Sequence, residues 1–259
     1  MITLFRKIRQ KLLSHIPSGK AGNRITQYLA YAFGEIVLVM IGILLALQVN
    51  NWNEERKTKA TEQKILISLL EEFEANSQNL DAVMAENEKR VQSALEIGKF
   101  TGPSLPPFDE LKLSGLMVGA FATPPRFVPN QGVILETVSS GKLSILSNPE
   151  LRKTITDWLA DLERVKDQEN VVTSQLAVGN SYIISAGNFR RHMYLVGRDL
   201  IEVDSSQFGT NDFKFLGDKG FENNLYLFVA LAVNLNKNIY PPLKARTESI
   251  ISLINQELK

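Results

Sequence analysis

The apolar positions of this chain fall into one short continuous run and several long periodic seams. The run is Ile36 to Leu47, in which every residue is apolar or glycine. A dozen residues is short for a bilayer, which takes about 20 to cross roughly 30 Å of hydrocarbon. The flanks add the missing length. Tyr28 and Tyr31 stand on one side and Trp52 on the other, where interfacial aromatic belts belong. At about 1.5 Å per residue, Tyr31 to Trp52 spans about 31 Å. A buried helix of a soluble domain and the h-region of a signal peptide also have runs of this length. Against the second stand a long n-region and the poor cleavage site Leu44-Leu45-Ala46. The pattern predicts a transmembrane helix over 28–52.

Beyond Trp52 the seams are helical. Leu66, Leu70, Phe73, Ser77, Leu80, Met84, Asn87, Val91 and Ala94 follow alternating steps of four and three, the stripe of a long amphipathic helix. No glycine or proline lies between Gly42 and Gly98, so this helix is expected to run on from the span and stop at Gly98 and TGPSLPP. Asp109–Phe121 and Gln131–Ser140 are expected as short helices, the second closed by Gly141 at C′. Ser147-Asn148-Pro149 is a cap followed by a first-turn proline. The seam after it runs Leu151, Ile155, Trp158, Leu162, Val165, Glu169, Val172, Leu176, Gly179, Ile183, with Gly187 as its end.

Residues 199–220 lack a period and predict a loop. LYLFVALAVNL, 225–235, is too short to span and predicts a core helix. Pro241-Pro242 is expected to break the chain before a last helix faced by Leu243, Thr247, Ile250, Ile254 and Leu258. No strand pattern of comparable length occurs, although SYIIS and DLIEV could pair locally. The fold class is therefore all-α: one N-terminal transmembrane helix followed by an antiparallel helical bundle over 53–259. The same seams also suit an intermolecular coiled coil, but the intervening short helices favour a compact domain.

Charge decides orientation rather than fold. A net +1 gives no global pull toward nucleic acid. The tail 1–27, however, carries Arg6, Lys7, Arg9, Lys11, Lys20 and Arg24 and no acid, with Phe5, Ile8, Leu12 and Ile16 on one helical face. A basic amphipathic segment of this kind suits an anionic cytoplasmic leaflet. The positive-inside rule then places the N-terminus in the cytoplasm and 53–259 in the periplasm of a single-pass inner-membrane protein. The lipid bilayer is the first expected partner.

The text of several stretches is also distinctive. FRKIRQKLL, YAFGEIVLVMIGILLALQVNNWNEERK and ETVSSGKLSILSNPELRKTI resemble an uncharacterised family of single-span membrane proteins from Bacteroidetes-type bacteria. The resemblance implies an anchor and an architecture. It implies no activity, cofactor or ligand.

Candidate chemistry is sparse. There is no cysteine, which removes disulfides, thiolate metal sites and cysteine nucleophiles. The histidines are His15 in the tail and His192, and no H-E-x-x-H, G-x-S-x-G or P-loop spacing occurs. His192 after Arg190-Arg191 reads first as a solvated loop and otherwise as an anion site of Arg190, Arg191 and His192. Glu71, Glu72 and Glu74 read as a solvated helix face. Trp158 reads as packing. The residues point to no catalytic set, metal or cofactor.

The polar residues of the span are more telling. Glu35 lies about one turn inside the first interface and Gln48 close to the second. Either Glu35 reaches the headgroups or it serves an interface, because Glu35, Val39, Gly42, Ala46, Val49 and Asn53 share one helical face. Gly42-x-x-x-Ala46 is a small-xxx-small pair that lets two helices approach closely. Two functions follow from this face. One is a non-enzymatic membrane-anchored scaffold or sensor that oligomerises or binds a multi-span membrane partner. The other is an accessory subunit of an ion-driven or transport complex, with Glu35 as the titrating group.

Overall fold

The computed structural model describes residues 24–197 and 201–259. The basic tail inferred for 1–27, including His15, lies outside the described residues up to position 23, and Arg198 to Leu200 also lie outside them. The helices are α1 (Arg24–Gly98), α2 (Glu110–Phe121), α3 (Gly132–Ser139), α4 (Pro149–Ala186), α5 (Phe189–Val196), α6 (Lys219–Asn234) and α7 (Tyr240–Glu257). No strand occurs among the described residues, so the fold is all-α. SYIIS lies inside α4, and Ile201 to Val203 are irregular. The chain divides into two units, residues up to 59 and residues 60–259.

In the unit of residues up to 59, the described residues are helical. Its apolar stretch is bare, as described below.

The unit of residues 60–259 is built on three long helical runs whose directions follow from their cross-links. Glu62 accepts the Ser147 N–H and Phe73 meets Trp158 edge-on at 5.0 Å. Both pairs are offset by the same interval, so this part of α1 runs parallel to α4. By contrast, Trp158 pairs with Thr247, Glu169 with Tyr240 and Gln175 with Asn224. The run α6–α7 is therefore antiparallel to both. The parallel pair differs from a simple up-and-down bundle for a topological reason. Residues 99–148, with α2 and α3, form a crossover long enough to return the chain to its starting end.

Local chemistry sets the helix boundaries. Asp109 caps α2 by accepting the Lys112 N–H. Asn148 caps α4 through the N–H groups of Glu150 and Leu151, with Pro149 in the first turn. Gly141 sits at φ 72°, the left-handed C′ geometry that closes α3. All ten seam residues of α4 are buried.

Gly179 belongs to that seam for a steric reason. A Cβ there would lie 2.5 Å from the ring of Phe121, which is itself buried against Phe228. Helix propensity alone would favour alanine. We expect Gly179→Ala to lower stability by about 1–3 kcal/mol through overpacking. Unfolding in urea followed by far-UV circular dichroism checks this, and a stabilised variant would show that Phe121 has room to move.

Pro241-Pro242 does not break the chain. A π-turn, Leu235–Ile239, joins α6 directly to α7, and the Tyr240 N–H bonds back to the Leu235 carbonyl. The inward face explains why. Phe221, Leu225, Phe228, Ala232 and Leu235 step by four and three; the next buried residue is Tyr240, after which Leu243, Thr247, Ile250 and Ile254 resume the pattern. One extra residue is absorbed by the wider turn. The prolines fall in the first turn of α7, where the missing N–H groups cost least.

Candidate functional site

Two places carry side chains that packing alone does not explain. The first is the apolar stretch of α1. Glu35, Gly42, Ala46 and Gln48 are all exposed, as is each residue from Met40 to Asn50. Nothing approaches the position of a Cβ on Gly42. Tyr28 and Trp52 are also exposed, and Tyr31 is half-buried; the guanidinium of Arg56 lies 5.9 Å above the Trp52 ring. Residues Tyr31 onward include a window of mean hydropathy 2.3, none of it buried, making this one helix long and apolar enough to cross a membrane.

The second place is a polar layer in the bundle of residues 60–259. Its centre is the loop 123–131, between α2 and α3, which is held almost entirely through its backbone. Asn76 donates to the Asn130 carbonyl and accepts the Asn130 N–H, at 2.8 and 2.7 Å. Asn79 donates to the Val128 carbonyl, and Arg90 binds Thr123 through both its carbonyl and its hydroxyl. Glu72, only 8% exposed, accepts the N–H groups of Val133 and Ile134 at the start of α3. A carboxylate there satisfies donors that a helix N-terminus leaves orphaned. Glu72 is therefore not part of a solvated face.

Glu169 completes the layer from α4. It is 4% exposed, and its Oε1 accepts the Phe127 N–H at 2.7 Å and the Tyr240 hydroxyl at 2.8 Å. Burial pushes this carboxyl above the usual carboxylate range, against the opposing effect of the two donors and of Arg126. Burial and the adjoining carboxylate also push the Tyr240 hydroxyl up, which keeps it a donor. Nearby, Asn87 donates to the Ala232 carbonyl and to Asn236, and Asn236 donates to the Met84 carbonyl, tying α1 to the π-turn. A groove of about 180 Å³ borders the layer, lined by Val83, Glu86, Arg90, Pro124 and Arg126. Small-molecule clefts are usually about 300–1,000 Å³.

Arg190, Arg191 and His192 lie together on α5, but they do not share one cavity. Arg191 forms a two-pronged pair with Glu110, both contacts at 2.9 Å, and this holds the Glu110 carboxyl below its ordinary range. Arg190 donates to the Asp204 carbonyl. His192 is buried rather than looped into solvent, stacks near Phe189 and is pushed down by burial. The positive charge expected for an anion site is thus half neutralised by a residue 81 positions earlier. Among the described residues, no group of three or more His, Asp or Glu is placed to hold a metal.

Residues 35–176 match the model of a family of unknown function, DUF6090, from Glu35 through the middle of α4. The chain belongs to this family. The part shared with DUF6090 contains the bare apolar stretch, Glu72, Asn76, the loop 123–131 and Glu169; Tyr240 and the α5 cluster lie beyond it. No curated protein and no solved structure matches the chain. Membership in DUF6090, a family of unknown function, leaves the activity to be argued from the residues.

Proposed function

We propose that the chain is a membrane-anchored, non-enzymatic helical scaffold or sensor that oligomerises or binds a membrane partner. The observation that carries this is the bare apolar window of α1. An uncovered surface of this apolarity requires lipid or another protein around it. The aromatic residues Tyr28, Tyr31 and Trp52 sit where the two interfaces of a bilayer would lie. The basic tail supports a cytoplasmic N-terminus, which puts residues 53–259 in the periplasm of a single-pass inner-membrane protein. Glu35, Gly42 and Ala46 form the contact face, and their exposure leaves them available to a second copy or a multi-span partner.

The outward-facing carboxylate of Glu35 supports a second assignment, an accessory subunit of an ion-driven or transport complex in which Glu35 titrates. Both assignments make the same first demand. Crosslinked recovery from native membranes in mild detergent is expected to bring down a second copy or a multi-span protein with the wild type. With Glu35→Gln the yield should fall several-fold while the far-UV spectrum stays the same. Equal recovery from both would remove Glu35 from any interface, and loss of the chain from the membrane fraction would remove the anchor.

A further inference from the structure

In the groove beside the 123–131 loop, two arginines from separate elements line the same space. Ala82, Val83, Glu86 and Arg90 form its α1 wall, spaced by threes and fours along one helical face, and Pro124 and Arg126 form the loop wall. The loop wall is pinned on both sides. Arg90 holds Thr123 through Nε and Nη2, and Glu169 holds the Phe127 N–H. These bonds set Arg126 opposite α1 but leave its side chain out: it is exposed and forms no ion pair among the described residues. Glu169, whose carboxyl feels the Arg126 charge, is committed to Phe127 and Tyr240.

Arg90 is spent only in part. Two of its guanidinium nitrogens go to Thr123, and the third, Nη1, is buried with no partner. A desolvated cationic donor without an acceptor carries a cost that a nearby anion relieves. The carboxylate already in the wall is engaged elsewhere, since Glu86 accepts from Lys89 at 2.6 Å.

We propose that this groove binds a carboxylate carried on a short aliphatic stem, seated between Arg90 and Arg126. Planar guanidiniums match the two oxygens of a carboxylate. Two cations against the one Glu86 leave the wall positive, so an anion is drawn in. Ala82, Val83 and Pro124 give the stem an apolar wall, for which an inorganic oxyanion has no use. The space of about 180 Å³ takes a group of a few heavy atoms and no cofactor. It equals the liquid volume of about six waters at about 30 Å³ each. All of these groups lie in residues 60–259, so the site stands or falls separately from the membrane anchor.

Butyrate titrated into the full chain in detergent, with chloride adjusted to hold ionic strength constant, tests the site. The Nε–Hε signals of labelled arginine are read by heteronuclear NMR. Two of them should move together and saturate. Arg126→Ala should remove one and raise the midpoint about tenfold, the lower end for a hydrogen bond between charged groups. Glu86→Gln removes the one carboxylate in the wall and keeps both guanidiniums, so it should lower the midpoint several-fold. A blocked tripeptide with a central glutamate, set against the same peptide with glutamine, identifies the source. A glutamate peptide that binds more tightly than butyrate places the carboxylate on a partner protein; equal or weaker binding places it on a free small acid, and either result supports the site. Shifts that grow without saturating, a midpoint indifferent to Arg126→Ala, or one not lowered by Glu86→Gln would overturn it. Inorganic phosphate binding as tightly as butyrate would overturn the choice of a carboxylate.

Discussion

Trp158→Ala is expected to cost about 3–5 kcal/mol, the range for truncating a large buried aromatic. Set against a usual total of about 5–15 kcal/mol, that removes much of what holds the bundle together. Two losses combine. The indole is fully buried and lies edge-on to Phe73 at 5.0 Å, so its removal opens a cavity at the junction of α1 and α4. Its Nε1–H also donates to the Thr247 hydroxyl at 2.9 Å, and Thr247 is 1% exposed, so the acceptor is left without its partner. Trp158→Phe separates the two losses, because it keeps most of the packing and deletes only the donor. Denaturant unfolding of the three proteins should rank wild type, Phe and Ala in that order. Identical midpoints for Phe and Ala would mean that the hydrogen bond, rather than the ring, dominates.

Glu72→Ala should have the second largest effect, about 2–4 kcal/mol, from two charge-assisted hydrogen bonds lost to backbone donors. Val133 and Ile134 open α3, and Ile134 is fully buried, so at least one N–H would have no water to replace the carboxylate. Glu72→Gln should be intermediate. Its single carbonyl oxygen can serve one donor, while its NH₂ faces the other. The same unfolding measurement, with exchange at residues 132–139 as a local probe, checks both. A wild-type-like Glu72→Ala would show that α3 is capped adequately without it.

Periodicity disclosed most of this architecture, because burial in a bundle repeats with the helix turn. The α4 seam is the clearest case, and even Glu169 and Gly179 stood on it at the proper spacing. What spacing does not disclose is a partner. Glu72 and Asn76 look like any polar residues beside a seam, and their partners lie 54 to 62 positions away, Asn130 in the loop for Asn76 and the first turn of α3 for Glu72. His192 likewise follows two arginines, a context that suggests solvent, yet Glu110 neutralises Arg191 and the ring is buried. Pro241-Pro242 misled for another reason. Prolines normally end a helix, and only the five-residue step from Leu235 to Tyr240 hints that the chain changes phase instead. The apolar stretch of α1 is legible only as composition, since each residue from Met40 to Asn50 is exposed and no packing among the described residues singles out a face.

That five-residue step also governs how relatives of this chain should be compared. Between Leu235 and Tyr240 the inward face passes from one reading frame of the helix to another, at the cost of a single residue. A homologue one residue shorter there would keep its core only if every inward position downstream moved back by one. Alignment by letter similarity would then pair the wrong faces of α7. Matching the phase of inward positions on either side would place the gap inside the π-turn, where the backbone can accept it.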